Sequence, residues 1–451
     1  MKKSAVQSII VALIVAVSGS ICMADSLWDY EAVDSTGFGT HPAISYPETD
    51  PASKIVVEGV ALAGSNEILD PALQYTVFIQ DDTSDRGGIQ AWSGKFLYGD
   101  TMWAQLRTTD YIDFAAGDRL RITGLLADMG RGKVVINNRG HGGAPYLIWH
   151  VDVIGHAGLP DPELIPTVAN CNYFDSMRAD GGERYQTRYT MLHGVQISGG
   201  AWGSGNLLTI NDGTGSVGMY LSAQGDFSSH SQPNGKLNVV GIFDQEDDNV
   251  SPYTDGYRIW VKRFSDIAIA LSGCREVSSR RTGERVALVN KVVSRVYDGC
   301  FFIQDPERAG GVRIISNRTF NPGDVVCVQG LVDSVNDENG ISPTYLSLNT
   351  NAQISTDAPK PVFVTSPTLW GERGLDVNGL LVRVFVKVGI DQGNGTYSLT
   401  DDDSKTVYVK TNGVEMPAPG TNAIITAIAT KSGGIPLLLL ANKQDIQFIT
   451  P

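Results

Sequence analysis

Two stretches decide the fold: YTVFIQDDTSDRGGIQAWS (75–93) and GCFFIQDPERAGGVRIIS (299–316). Each is an alternating apolar run, an acidic turn, a Gly-Gly pair and a second alternating run. Each is followed by a Gly-Asp turn and another apolar run, AAGDRLRITGLL (115–126) and NPGDVVCVQGLV (321–332). Alternation with a period of two is the mark of a half-buried strand. Such an order, met twice in one chain, is an internal repeat.

Working outward, two weaker copies appear. LLTINDGTGSVGMYL (207–221) precedes NGKLNVVGIF (234–243), and TYSLTDDDSKTVYVK (396–410) precedes APGTNAIITAIA (418–429). A β-rich run leads into every copy: KIVVEGVAL, YTMLHGVQI, RVALVNKVV and LLVRVFVKV. Aligned on Asp81, Asp212, Asp305 and Asp401, the four repeats read as strand, hairpin, connection, strand and final strand. Val77 and Ile79, Leu208 and Ile210, Phe301 and Ile303, and Tyr397 and Leu399 are the inward pairs. The recurring Asp is expected to shape a turn through side-chain to backbone hydrogen bonds.

The pattern resembles the OB-fold, a five-stranded barrel, and in particular the tandem OB-like, nucleic-acid-binding-like domains of secreted bacterial proteins. FIQDDT with GGIQAWS and FIQDPE with GGVRI carry the resemblance. The expected fold class is therefore all-β: four tandem OB-like five-stranded small barrels, some degenerate, after a cleaved signal peptide. The segments are 1–24 (signal), 25–156, 157–274, 275–356 and 357–451. Segment 25–156, the first repeat, has an aromatic insertion, GKFLYGDTMWAQLRTTDYIDF. A short helix is expected from Asn172 to Met177.

The leader reads Lys2-Lys3, an apolar run from Ile9 to Val17, and small residues ending at Ala24. That order predicts export and cleavage after Ala24; the run is too short for a stable span. Ile21 before Cys22 departs from the small residue that lipid attachment requires. A secreted or periplasmic product follows, with no membrane span after cleavage. About 425 residues remain, room for three or four domains.

The chain carries a net charge of −14, and loss of Lys2 and Lys3 moves it to −16. Segments 25–156 and 157–274 hold −9 and −6, against 0 and −1 for the last two. Non-specific binding to polyphosphate over the whole surface is disfavoured. Of the four mature cysteines, Cys171 and Cys274 lie in similar linkers flanking the second repeat. They are the favoured disulfide among three connectivities, with buried free thiols the alternative.

OB barrels commonly bind on the outer face of strands two and three. Parity puts Phe78, Gln80, Gln90 and Trp92 on that face in repeat one, and Tyr220 in repeat two. It puts Phe302, Gln304 and Arg313 there in repeat three, near Arg308 and Arg318, and Tyr408 with Lys410 in repeat four. Such rings stack on a base or a sugar, or pack against the next repeat, which is their commoner use. Trp103, with Phe96, Tyr98 and Tyr111, belongs to the insertion; beside Asp100, Asp110 and Asp113 these rings suit a neutral ligand such as a glycan, and a helix plugging the end of the barrel is the alternative, the commoner one.

Chemistry is sparse. His150, Asp152 and His156 form the one loose metal candidate; their spacing in a turn-rich segment does not establish convergence. No nucleophile elbow, H-E-x-x-H helix or P-loop occurs, and no cofactor is implied. The leading expectation is an exported, non-catalytic binding or scaffold protein whose partner is a polymer (glycan or single-stranded nucleic acid) or a cell-surface protein. A nucleic-acid-binding protein accessory to extracellular DNA handling and a secreted hydrolase are the rivals.

Overall fold

A computed structural model describes residues 25–46, 50–69, 74–82, 87–94, 112–137, 149–248, 250–335, 338–352, 357–401 and 405–449. It holds four closed five-stranded rings in series. In the first, β1 (Lys54–Ala61), β2 (Gln74–Gln80), β3 (Gly88–Gly94), β4 (Asp118–Asp128) and β5 (Val134–Asn137) close in the order β1-β2-β3-β5-β4-β1. Every pairing is antiparallel except β3 with β5. That order, with one parallel contact, is the OB barrel. A further strand, β6 (His150–His156), continues the sheet beyond β4.

The other rings repeat this order. Barrel 2 uses β8 (Tyr189–Gly199), β9 (Leu207–Asn211), β10 (Ser216–Leu221), β11 (Leu237–Gln245) and β12 (Tyr257–Val261), preceded by β7 (Glu163–Ile165) and followed by β13 (Ile267–Ala270). Barrel 3 uses β14 (Arg285–Tyr297), β15 (Cys300–Gln304), β16 (Gly311–Ile315), β17 (Val325–Val335) and β18 (Glu338–Leu348). Barrel 4, preceded by β19 (Val362–Phe363), uses β20 (Leu381–Gly393), β21 (Thr396–Thr400), β22 (Thr406–Lys410), β23 (Asn422–Ser432) and β24 (Ile435–Leu439). The last strand, β25 (Ile446–Phe448), pairs with β23. Among the described residues no helix is long and apolar enough to cross a membrane.

Parity sorts the side chains as the alternation requires. Val77, Ile79 and Ile89 lie in the first core, Leu208 and Ile210 in the second, and Phe301 and Ile303 in that of barrel 3. Leu399 is in the core of barrel 4, with Tyr397 packed against it.

Three of the aligned aspartates reach beyond their own hairpins. Asp212 accepts from Thr214 N at 2.8 Å and also from Val168 N at 2.9 Å, at the start of the 3-10 turn Val168–Asn170. Asp305 accepts from Cys274 N at 3.1 Å, opening Cys274–Ser279. Asp401 accepts from Ser366 N at 2.7 Å, opening Ser366–Leu369. Each carboxylate thus satisfies an orphan N–H of the short turn that precedes its own barrel.

Two expectations fail. The segment expected to be helical from Asn172 to Met177 is turn: the Asp175 carboxylate accepts from Met177 N and Ala179 N at 3.0 Å each and from Asp180 N at 3.2 Å. A side chain that bonds the following N–H groups competes with the helical ladder. Helix forms later, at Gly182–Tyr185. Cys171 and Cys274 are free buried thiols; they sit in different hydrophobic cores, of barrels 2 and 3 respectively, so no disulfide joins them.

Candidate functional site: a cleft between the first two barrels

The outward faces of β2–β3 and β15–β16 are not open to solvent. Phe78 is 1% exposed and Phe302 fully buried. Phe78 packs with Tyr189, Met191, Val240, Ile242 and Trp260 of barrel 2, edge-on to Trp260 at 5.6 Å. Phe302 packs with Leu381 and Ile428 of barrel 4. The direction read from parity is right; the next barrel covers the face, so neither ring is available to a ligand.

The two junctions are built alike. Gln80 Oε1 accepts from Tyr189 N at 2.7 Å, and Gln304 Oε1 accepts from Leu381 N at 3.4 Å. Both donors are first residues of a strand one. A Cβ on Gly88 would run into the Thr187 carbonyl, and one on Gly311 into that of Gly379. The preceding glycine serves the other neighbour: a Cβ on Gly87 would meet the Trp28 nitrogen, and one on Gly310 the Arg275 nitrogen. F-x-Q and Gly-Gly are therefore docking signals. Barrels 2 and 4 carry Thr209, Asn211 and Ser216, and Ser398, Thr400 and Thr406, at the equivalent places, and none of these is buried.

Where the barrel 1 face runs past Phe78 it opens into a cleft of about 500 Å³. Gln90, Trp92 and Val135 line one side, Tyr220, Arg258 and Trp260 the other, with Arg131, Lys133 and Glu246 at its floor and rim. Trp92 and Tyr220 are the two sequence candidates brought together here. Tyr220 and Trp260 meet edge to face at 5.0 Å, and the Arg258 guanidinium lies 4.9 Å from the Trp260 ring.

The charges are matched. Lys133 Nζ lies 3.0 Å from Asp244 and 2.7 Å from Glu246. Arg258 lies 2.8 and 3.1 Å from the same carboxylates. Arg131 pairs with Glu246 and lies 3.3 Å from Asp248. Burial by itself would raise the Glu246 carboxyl; Lys133 and Arg258 outweigh it and hold the group down at about 2. Three cations thus face three carboxylates across short ion pairs, leaving a polar floor of little net charge between aromatic walls.

The remaining candidates are dispersed. Arg313 is ion-paired with the buried Glu338, its guanidinium 5.5 Å from the Phe302 ring. Arg318 bridges to Asp161 at 2.8 Å. Arg308 is exposed in a turn with φ +61°. Tyr408 and Lys410 are half-buried on β22, and Lys410 donates to the Asn394 carbonyl. His150, Asp152 and His156 are exposed on β6, where His156 Nδ1 lies 2.8 Å from Asp118. Among the described residues no three metal-donor side chains converge. Trp103 lies outside the described residues.

Sequence reasoning missed Arg131, Lys133, Asp244, Arg258 and Trp260. YRIWV (257–261) held a readable signal, since Arg258 and Trp260 alternate with the inward Ile259 and Val261.

No family model and no curated protein matches the chain. Among solved structures, it is similar to the hypothetical protein ygiW from E. coli, at 21% identity over 18% of this chain and 94% of that one, with a TM-score of 0.15. It is also similar to the p204 HINb domain, at 14% identity over 37% and 98% with a TM-score of 0.22. A murine DNA binding protein bound with ds DNA aligns at 12% identity over 36% and 92%, with a TM-score of 0.20.

Proposed function

We propose that the chain is an exported, non-catalytic binding protein whose barrels 1 and 2 form one rigid head, and that the cleft between them takes a neutral, ring-faced unit such as a sugar of a glycan polymer. The observation that carries this reading is the pairing of Arg131, Lys133 and Arg258 with Asp244, Glu246 and Asp248 between the Trp92, Tyr220 and Trp260 rings. Stacking rings beside matched polar groups suit a ligand with apolar faces and hydroxyl edges. A phosphate would have to break those pairs before gaining its own.

A glycan array and titrations of the mature chain against single- and double-stranded DNA test this. The expected result is binding to a neutral glycan that changes little with salt. Trp92→Ala should lose about 1 kcal/mol, the scale of one aromatic contact, or about a five-fold weaker Kd. Tight DNA binding that falls steeply with salt, with no glycan bound, would overturn the reading in favour of nucleic acid.

A further inference from the structure

Barrels 2 and 3 are joined differently from the docked pairs, by a strand they share. β13 pairs antiparallel with β11 of barrel 2, Ile269 opposite Leu237, and parallel with β14 of barrel 3, Ile269 and Ala270 opposite Val286 and Ala287. Strand one of barrel 2 has a parallel partner in β7, and that of barrel 4 in β19. In each case the partner ends a few residues before the short helical turn that leads into the barrel. Among the described residues β1 has none: it pairs with β2 and β4. Val56, equivalent to the fully buried Ala287, is 53% exposed.

The far end of the chain has the complementary strand. β25 is equivalent to β13, since Phe448 lies opposite Ala423 as Ile269 lies opposite Leu237. Ile449 N donates to Asn422 O at 3.2 Å, as Ala270 N donates to Lys236 O at 3.0 Å. Among the described residues β25 pairs only with β23. Phe448 and Ile449 are 58% and 39% exposed.

We propose that copies of this chain join head to tail: β25 of one copy adds as a parallel strand beside β1 of the next, with Phe448 and Ile449 opposite Ile55 and Val56. The occupant follows from continuity with the β11-β13-β14 junction inside the chain, whose register this would repeat. The chain alternates docked pair, shared strand, docked pair, and the next junction in that alternation is a shared strand. Strand addition to an open edge gives backbone hydrogen bonds together with side-chain fit. A heterologous contact that does not close into a ring grows into a filament. The slot at β1 rests on the proposed export: β7, β13 and β19 end three or four residues before the short helical turn that follows each, whereas the corresponding turn of barrel 1, Leu27–Tyr30, begins three residues after the expected cleavage at Ala24. The ligand cleft is not involved, so glycan binding and assembly stand or fall separately.

Sedimentation velocity of residues 25–451 over a range of concentrations tests it, with Val56→Lys and Ile449→Lys as variants. Both side chains are exposed, so each variant should keep the wild-type circular dichroism and urea midpoint. Wild type should grow in mass with concentration, and each variant alone should stay monomeric. Mixed, they should stop at a one-to-one pair of about twice the monomer mass, because only one intact head and one intact tail remain. A wild type that is monomeric throughout, variants that assemble as wild type does, or a mixture that stays monomeric would overturn the proposal.

Discussion

Position 302 and its equivalents in the other barrels make the docking argument quantitative. The residues are Phe78, Thr209, Phe302 and Ser398, all on the outer face of strand two. Phe302 is fully buried against Leu381 and Ile428, and Phe78 nearly so against barrel 2. Truncating a buried Phe to Ala costs about 3–5 kcal/mol through lost transfer energy and the cavity left behind. Thr209 is exposed, and a surface substitution there should stay within about 0.5 kcal/mol of wild type. Equilibrium urea unfolding of Phe78→Ala, Phe302→Ala and Thr209→Ala is therefore expected to separate two costly positions from a silent one. A cycle combining Phe302→Ala with Ile428→Ala should show about 0.5–3 kcal/mol of coupling, because the two side chains touch across the junction. Phe302→Ala lying within about 0.5 kcal/mol of Thr209→Ala, or zero coupling, would refute barrel docking as the role of this motif.

Three further outcomes are expected. Gly311→Ala, whose Cβ would run into the Gly379 carbonyl, should lower the thermal midpoint, whereas Gly235→Ala, with open space around it but φ +85°, should show backbone strain alone. Burial raises the Glu183 carboxyl from 4.5 to about 7 despite the hydrogen bond from Tyr257 Oη. A raised folded value means the native state holds its proton longer, so stability falls as pH climbs from 4.5 to about 7 and is level above. That is worth about 3 kcal/mol, and Glu183→Gln should remove this part of the slope in urea titrations at pH 5 and pH 8; an unchanged slope would exclude the assignment. Finally, the unfolded mature chain without reductant should titrate four free thiols, and fewer would reveal a disulfide.

The barrels were legible because their cause is local. Alternation in FIQDDT and FIQDPE tells which side of a strand is apolar, and Val77, Ile79, Phe301 and Ile303 lie where it puts them. What lies beyond the outer side is not written in the period. Phe78 and Tyr408 have the same parity, yet barrel 2 covers the first and the second stays half-buried. The difference was visible as repeat quality: the two strong copies keep Phe, Gln and Gly-Gly because their faces are covered. The weak copies, whose sequences lack those residues, still close into five-stranded rings, and at the place of the buried Phe they carry an exposed Thr209 and a half-buried Ser398. The cleft was less legible, since Lys133 meets Asp244 across 111 residues of chain, and no local pattern links them.

The docking contacts also set an order of events in time. Gln80 finds its donor 109 residues later in the chain, and Gln304 finds its own 77 later. Barrel 1 closes only once β5 is made, at Asn137, so a chain made from its N-terminus at about 5–20 residues per second carries the closed barrel with Phe78 bare for about 3–10 s before Tyr189 follows. Barrel 3 waits a shorter time for Leu381. During synthesis, then, the vulnerable species is not the unfolded chain but a finished odd-numbered barrel with one sticky face. That interval is where a chaperone would act, and where two nascent chains side by side could exchange partners.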